Sequence, residues 1–311
     1  MNLDQQFPLN WSYPLPRNAR IFEAETGGPM RNFAVAGLQL DLAKDGNLPL
    51  VAEQVRAAKR RLPWLDMIVV SELACHGVST ALAERMPGRT EEELCAIARE
   101  NAVWLVGGTL FERAGDRIYN TAPVIDPSGA VVARYRKMFP FYPYEQGVAP
   151  GDDLCVFDVP NVGRFGMTIC YDIWFPEIAR SLAFMGAEAI LNPSLTNTID
   201  RDQELAFARA TAASNQCYVI NVNGAGKLGW GKSIACGPGG EILHQSASAQ
   251  EAFALDLDLD LVTRVRERGW NGLGQVLKSF RDHPIDWPAY RPGARSQTLE
   301  ALGPLKKPES S

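Results

Sequence analysis

Cys170 sits in the run GMTICYDIWFPE, residues 166–177, where an apolar stretch gives way to Asp172, Trp174 and a Phe-Pro-Glu that opens a helix. A cysteine attacks as the thiolate, a few per cent of the population at neutral pH, so it needs a base and gains from a nearby cation. Taken alone, a cysteine in an apolar strand is a packing residue as readily as a nucleophile. Three other residues shift that balance. Glu72 ends the apolar run IVVSEL, and a carboxylate just past an apolar strand in an open α/β fold points to where ligands bind. Lys137 closes VVARYRK and is followed by Phe139, Phe141, Tyr142 and Tyr144, rings that would desolvate and hold an ammonium. Glu145 lies in the same aromatic, proline-containing loop. Each of the three also has a plain reading as a solvated surface charge.

Histidine is the usual base for a cysteine, and this chain has three: His76, His244 and His283. None stands in a local sequence typical of a Cys–His pair, so a carboxylate tuned by a lysine is the base expected here. Two glycine patterns compete for attention. GAGKLG (224–229) fits a dinucleotide fingerprint, and GKLGWGKS (226–233) fits a phosphate loop. Both need a helix to begin at once, because the phosphate rests on its N-terminus. Pro238, Gly239 and Gly240 follow instead, so the segment reads as a glycine-rich loop entering a hairpin.

The elements that would position these residues alternate. FAVAGLQLDL (33–42), DMIVVSEL (66–73), VWLVGGTLFER, LCVFDVP, RFGMTICYD, AEAILNPS, CYVINVNGAG and EAFALDLDLDL read as strands. NLPLVAEQVRAAKRRL, TEEELCAIARENA (90–102), FPEIARSLAFMG and DRDQELAFARATAASNQ read as helices. Thr90 with Glu93 three residues on makes a capping box, Pro176 suits a first turn and Gly186 suits a helix end. DPSG (126–129) and GPGG signal hairpins. Alternation of this kind means α/β, and the hairpins make the sheets mixed. The expected organisation is an extension at 1–31, one domain at 32–261, and a helix with an extended tail at 262–311. LTNTID (195–200) follows a strand end and carries no assigned role.

The balance of 46% hydrophobic and 22% charged residues is that of a globular protein with a sizeable core. A net charge of −5 without a long Lys/Arg cluster speaks against a nucleic-acid partner. No apolar run is long enough to span a membrane, and the N-terminal residues lack the pattern of a secretory leader. Six scattered cysteines without CxxC spacing predict a reducing compartment, the cytoplasm, and no disulfide framework. His and Cys do not cluster at zinc spacing, so no metal and no cofactor is expected.

With these contexts, the order Glu72, Lys137, Glu145, Cys170 resembles the nitrilase superfamily of carbon–nitrogen hydrolases. The resemblance runs through YNTAPVIDPSG, RKMFPFYPYEQGVAPG, GMTICYDIWFPEIARSLAFMGAEAILNPS and ASNQCYVINVNGAG. It implies an α-β-β-α sandwich of two mixed sheets and a homodimer or higher homo-oligomer with a small-molecule amide substrate. It also implies Glu72, Lys137 and Cys170 as the catalytic glutamate, lysine and nucleophile, with Glu145 as the second glutamate. By the same resemblance the reaction is hydrolysis of a linear carboxamide to acid and ammonia through a thioester. The oxyanion would be met by Lys137 and the Tyr171 backbone N–H. Ser71 stands where the family commonly has proline. Cys170-Tyr171-Asp172 differs from the Cys-Trp-Glu of nitrilases proper and favours an amide over a nitrile. The Lys-to-Glu loop is similar to that of aliphatic amidases and formamidases, while WFPE is similar to carbamoyl-amine hydrolases, the alternative activity. Tyr142, Tyr144 and Trp174, with Trp230, are candidates to line the substrate pocket and equally fit a core.

Overall fold

The computed structural model describes residues 30–307; the expected N-terminal extension lies outside them apart from its last two residues. Among the described residues, thirteen strands form two sheets. The first is built from β1 (Asn32–Gln39), β2 (Met67–Val70), β3 (Trp104–Val106), β4 (Leu110–Ala114), β5 (Arg117–Ile125), β6 (Val131–Arg136) and β13 (Glu251–Asp258). Its order is β13-β1-β2-β3-β5-β4, with β6 also on β5. The second contains β7 (Cys155–Val159), β8 (Gly163–Met167), β9 (Ala189–Pro193), β10 (Tyr218–Val222), β11 (Ile234–Cys236) and β12 (Ile242–Gln245), in the order β12-β11-β10-β9-β8-β7. In each sheet three central strands run parallel and the flanks are antiparallel.

The sheets face each other across one apolar layer that includes Phe33, Val69, Val124, Phe157, Phe165, Leu191 and Ile220. Helices α1 (Leu48–Arg61) and α2 (Arg89–Asn101) cover the outer face of the first sheet. Helices α3 (Pro176–Phe184) and α4 (Arg201–Asn215) cover the second. This is the α-β-β-α sandwich. Strands covered on both faces carry no polar alternation, which is why β9 and β10 are buried throughout. Helix α1 shows the complementary pattern: Leu48, Val51, Ala52, Val55 and Ala58 make the buried stripe, and Lys59, Arg60 and Arg61 sit in the last turn, where cations suit the helix dipole.

Helix α5 (Leu259–Arg268) follows β13 directly, with the Asp258 side chain accepting from the Leu261 N–H at its start. Leu259, Val262 and Val265 are buried, so the helix runs through residues 261 and 262 as part of the packed body. A shorter helix, α6 (Val276–Asp282), comes next, and the described tail beyond it holds a 3-10 turn (Pro288–Tyr290) and one helical turn, α7 (Gln297–Glu300). No described helix is long and apolar enough to cross a membrane. All six cysteines are free thiols.

Three local expectations change in the structure. VWLVGGTLFER is two strands, not one, because Gly108 takes φ +85°; a Cβ there would lie 2.3 Å from the Ser71 carbonyl oxygen. Thr90 does not cap α2: Gly88 holds that position, and the Thr90 hydroxyl is turned to the Glu84 carboxylate and the His76 ring. Glu93 pairs with Arg89 on the helix surface instead of reaching back to a cap. The third concerns RFGMTICYD, whose strand stops at Met167, short of Cys170. The two hairpins form as expected: the Asp126 N–H donates to the Ala130 carbonyl and the Gly237 N–H to the Glu241 carbonyl.

Candidate active site

The chain past β8 turns sharply. Cys170 opens a short 3-10 turn, Cys170–Trp174, with φ +46°. A left-handed backbone costs a non-glycine residue roughly 1–2 kcal/mol, so surrounding bonds must hold it. They do: the Thr168 N–H donates to the Leu191 carbonyl at 3.0 Å, and the Ile169 N–H donates to Asp172 Oδ2 at 2.9 Å. Asp172 is fully buried and also accepts from the Tyr135 hydroxyl at 2.7 Å and the Phe139 N–H at 2.9 Å. This one carboxylate therefore ties the cysteine turn to the segment that carries Lys137. Burial pushes its carboxyl up to about 6 against these three donors.

Glu72 also lies beyond its strand. β2 ends at Val70, and Leu73 takes φ +51°. The Glu72 N–H donates to the Ser194 carbonyl at 3.2 Å, across the gap to the second sheet. The Glu72 side chain is buried; its Oε1 accepts from Lys137 Nζ at 2.9 Å and from Asn120 Nδ2 at 2.7 Å. Lys137 follows β6, is 1% exposed, and donates a second bond to Glu145 Oε2 at 2.7 Å. Glu145 is held in turn by the Phe141 N–H. The lysine is thus fixed by two carboxylates and not by aromatic rings.

The Cys170 thiol lies beside Glu72 and Lys137, close enough for both charges to act on it. It is 8% exposed, so it is not sealed off. Burial first, then the Glu72 charge, push the thiol well above its ordinary range, with Lys137 pulling the other way. Burial also raises the Glu72 carboxyl, outweighing the attraction of Lys137. Desolvation opposes the Lys137 charge, but Glu72, Cys170 and Glu145 together hold the ammonium protonated. The resting cluster is therefore a neutral thiol beside a fixed cation and a carboxyl able to carry a proton.

The structure brings Glu72, Lys137, Glu145 and Cys170 together. Tyr171 follows in the same turn, edge-on to Phe141 at 4.9 Å between ring centroids. The expected pocket residues are distributed less evenly. Trp174 is half-buried, packed on Phe207 and Tyr171, with its indole N–H buried and unpartnered. The Tyr142 hydroxyl is bonded back to the Val148 carbonyl of its own loop. Tyr144 is exposed and stacks on Phe141. Trp230 is 44% exposed. His76 pairs with Glu84 and His244 with Glu251, so neither serves the thiol. The glycine loop passes straight into β11 with no helix at its end, which removes both phosphate-binding readings.

Asn120 and Asp172 hold the site and were not singled out by sequence. The tyrosine partner of Asp172 is 37 positions away, and only the packing of the first sheet against the second brings the two together; the spacing Cys170-x-Asp172 was the one available cue.

The carbon–nitrogen hydrolase profile matches residues 33–267. The chain belongs to the carbon–nitrogen hydrolase family. The hydrolase is 31% identical over 202 residues to the omega-amidase NIT2 of Homo sapiens, covering 60% of this chain and 72% of that protein. Among solved structures it is similar to Nit3 of Saccharomyces cerevisiae, a member of branch 10 of the nitrilase superfamily. That match has a TM-score of 0.71 and 28% identity, over 76% of this chain and 94% of the other. A carbon-nitrogen hydrolase from Helicobacter pylori G27 matches with a TM-score of 0.70 and 25% identity, over 83% and 97%. The carbon–nitrogen hydrolase is therefore a nitrilase-superfamily enzyme in fold and in family.

Proposed function

We propose that the hydrolase cleaves a linear carboxamide to a carboxylic acid and ammonia through a thioester on Cys170. The observation that carries this reading is the Lys137 ammonium, bonded to Glu72 and Glu145 at 2.9 and 2.7 Å in the same buried cluster as the thiol. Such a cation is already charged, oriented and dry before any substrate arrives, as electrostatic stabilisation of an oxyanion requires.

Glu72 takes the Cys170 proton as the sulfur attacks the amide carbon. The oxygen charge that develops is met by Lys137 and the Tyr171 N–H, donors of a kind typically worth about 3–4 kcal/mol each. Glu72 returns the proton to the departing nitrogen, and ammonia leaves. Water then attacks the thioester with Glu72 again as base; the C–S bond breaks, the acid leaves, and Glu72 returns the proton to the Cys170 sulfur. Glu145 keeps Lys137 in place throughout. A Glu72 carboxyl raised by burial suits a group that must both accept and donate a proton. The omega-amidase relative supports an amide over other carbon–nitrogen bonds.

The test is ammonia release from a panel of linear carboxamides, carbamoyl compounds and nitriles. Carboxamides should turn over fastest, and a slow amide should leave an acyl mass on Cys170. Turnover of carbamoyl compounds or nitriles alone would overturn the substrate class; turnover with an unmodified, removable Cys170 would overturn the thioester.

A further inference from the structure

Cys170 has two oxygen neighbours that the mechanism above does not use. Its Sγ lies 3.6 Å from Thr196 Oγ1 and 3.9 Å from Glu204 Oε1. The two oxygens are joined, since the Thr196 hydroxyl donates to Glu204 Oε1 at 2.8 Å. Glu204 Oε2 accepts from Arg201 Nη1 at 2.7 Å. Arg201 is anchored to Asn221 Oδ1 and the Lys232 carbonyl at 2.7 and 2.6 Å. All three side chains are buried: Arg201 is 1%, Glu204 3% and Thr196 8% exposed.

The thiol thus lies between two buried ion pairs, Glu72–Lys137 from the first sheet and Glu204–Arg201 from α4. Arg201 and Glu204 share the first turn of α4, so the second pair is rigid. With its proton committed to Glu204, the Thr196 hydroxyl presents only lone pairs toward the sulfur.

We propose that Thr196 is a positioning residue, set by the Arg201-braced Glu204, that accepts the Cys170 S–H and keeps the resting thiol protonated until an amide enters. The inference rests on Cys170 being the nucleophile. The charged and titratable groups around the sulfur are Glu72 beyond β2, Lys137 and Glu145 beyond β6, Asp172 in its own turn, and Glu204 with Arg201 on α4. Of these, Lys137 favours the thiolate, while Glu72 and Glu204 oppose it.

The experiment is the pH dependence of Cys170 alkylation by iodoacetamide in the full chain, followed by peptide mass spectrometry. No turnover is involved, so the outcome stands apart from whether carboxamides are substrates. Glu204→Gln removes the charge, and its midpoint should fall by about one pH unit, read as roughly tenfold faster labelling below the midpoint. Thr196→Val removes the lone pairs without changing charge and should shift the midpoint the same way. Thr196→Ser keeps the hydroxyl and should keep the wild-type midpoint. If Glu204→Gln does not fold, Thr196→Val with Thr196→Ser carries the test. A midpoint that stays put or rises in Thr196→Val, or a serine variant that shifts as far as the valine variant, overturns the proposal.

Discussion

The Tyr135 hydroxyl donates to Asp172 Oδ2 at 2.7 Å, so the strand that leads into Lys137 is bonded to the turn that begins with Cys170. Neither residue needs to touch a substrate. Their bond fixes the distance between cation and sulfur, and a small misplacement of a catalytic group is costly.

Tyr135→Phe should therefore lower kcat more than it raises KM. The fold should lose about 1–2 kcal/mol, because a buried carboxylate oxygen gives up one of its donors. Steady-state kinetics with urea unfolding reads both. Unchanged kcat in the phenylalanine variant would separate the Asp172 bridge from the chemistry.

Asp172 also sets a pH dependence. Its carboxyl is raised from 3.8 to about 6 in the fold. Between those values the folded protein holds a proton that the unfolded chain has released. Stability from this group therefore grows as pH falls through 6 toward 4 and is absent above 6. The swing is at most about 3 kcal/mol. Asp172→Asn should lose it, so the wild type gains on the variant between pH 7 and pH 4 in urea titrations. Parallel pH profiles would contradict the raised carboxyl.

Lys137→Met should cost at least about a hundredfold in kcat through loss of an oxyanion donor, with Cys170 still open to labelling. It should also destabilise by about 3–5 kcal/mol, since Glu72 and Glu145 lose their shared cation. Cys170→Ala should abolish ammonia release while the melting temperature stays close to wild type. Near wild-type turnover in either variant removes that residue from the reaction.

Gly108→Ala tests the strand break. The residue has φ +85°, and a Cβ would meet the Ser71 carbonyl one position before Glu72. We expect a loss of stability above the roughly 1–3 kcal/mol of backbone strain alone, and reduced activity. Gly115→Ala is the comparison: φ is +63° with nothing within 4 Å of a Cβ. It should show only the strain and keep full activity. Equal effects at both positions would leave the Ser71 contact without consequence.

Much of this was legible in the residues. Apolar runs separated by amphipathic ones pointed to α/β with mixed sheets, the resemblance to the nitrilase superfamily implied the order of the layers, and Glu72, Lys137 and Cys170 each stood at the end of an apolar run. What stayed hidden depends on pairings across the chain. Glu72 and Lys137 are 65 positions apart, and Cys170 and Glu204 are 34 apart; nothing local announces either contact. Thr196 lay in LTNTID, a segment with no readable period, and gains its meaning from the sulfur beside it. Thr90 misled for the opposite reason: its local pattern was that of a cap, but Glu84 competes for the same hydroxyl.

Glu72, Asn120 and Lys137 come from the first sheet, while Cys170, Thr196 and Glu204 come with the second and its helix. The side chains proposed to react thus sit astride the joint between two halves, each of which could keep its own strands and helices if the halves slid apart. Turnover becomes a gauge of that docking. On gentle heating, ammonia release should fade while far-ultraviolet ellipticity is still that of the intact protein.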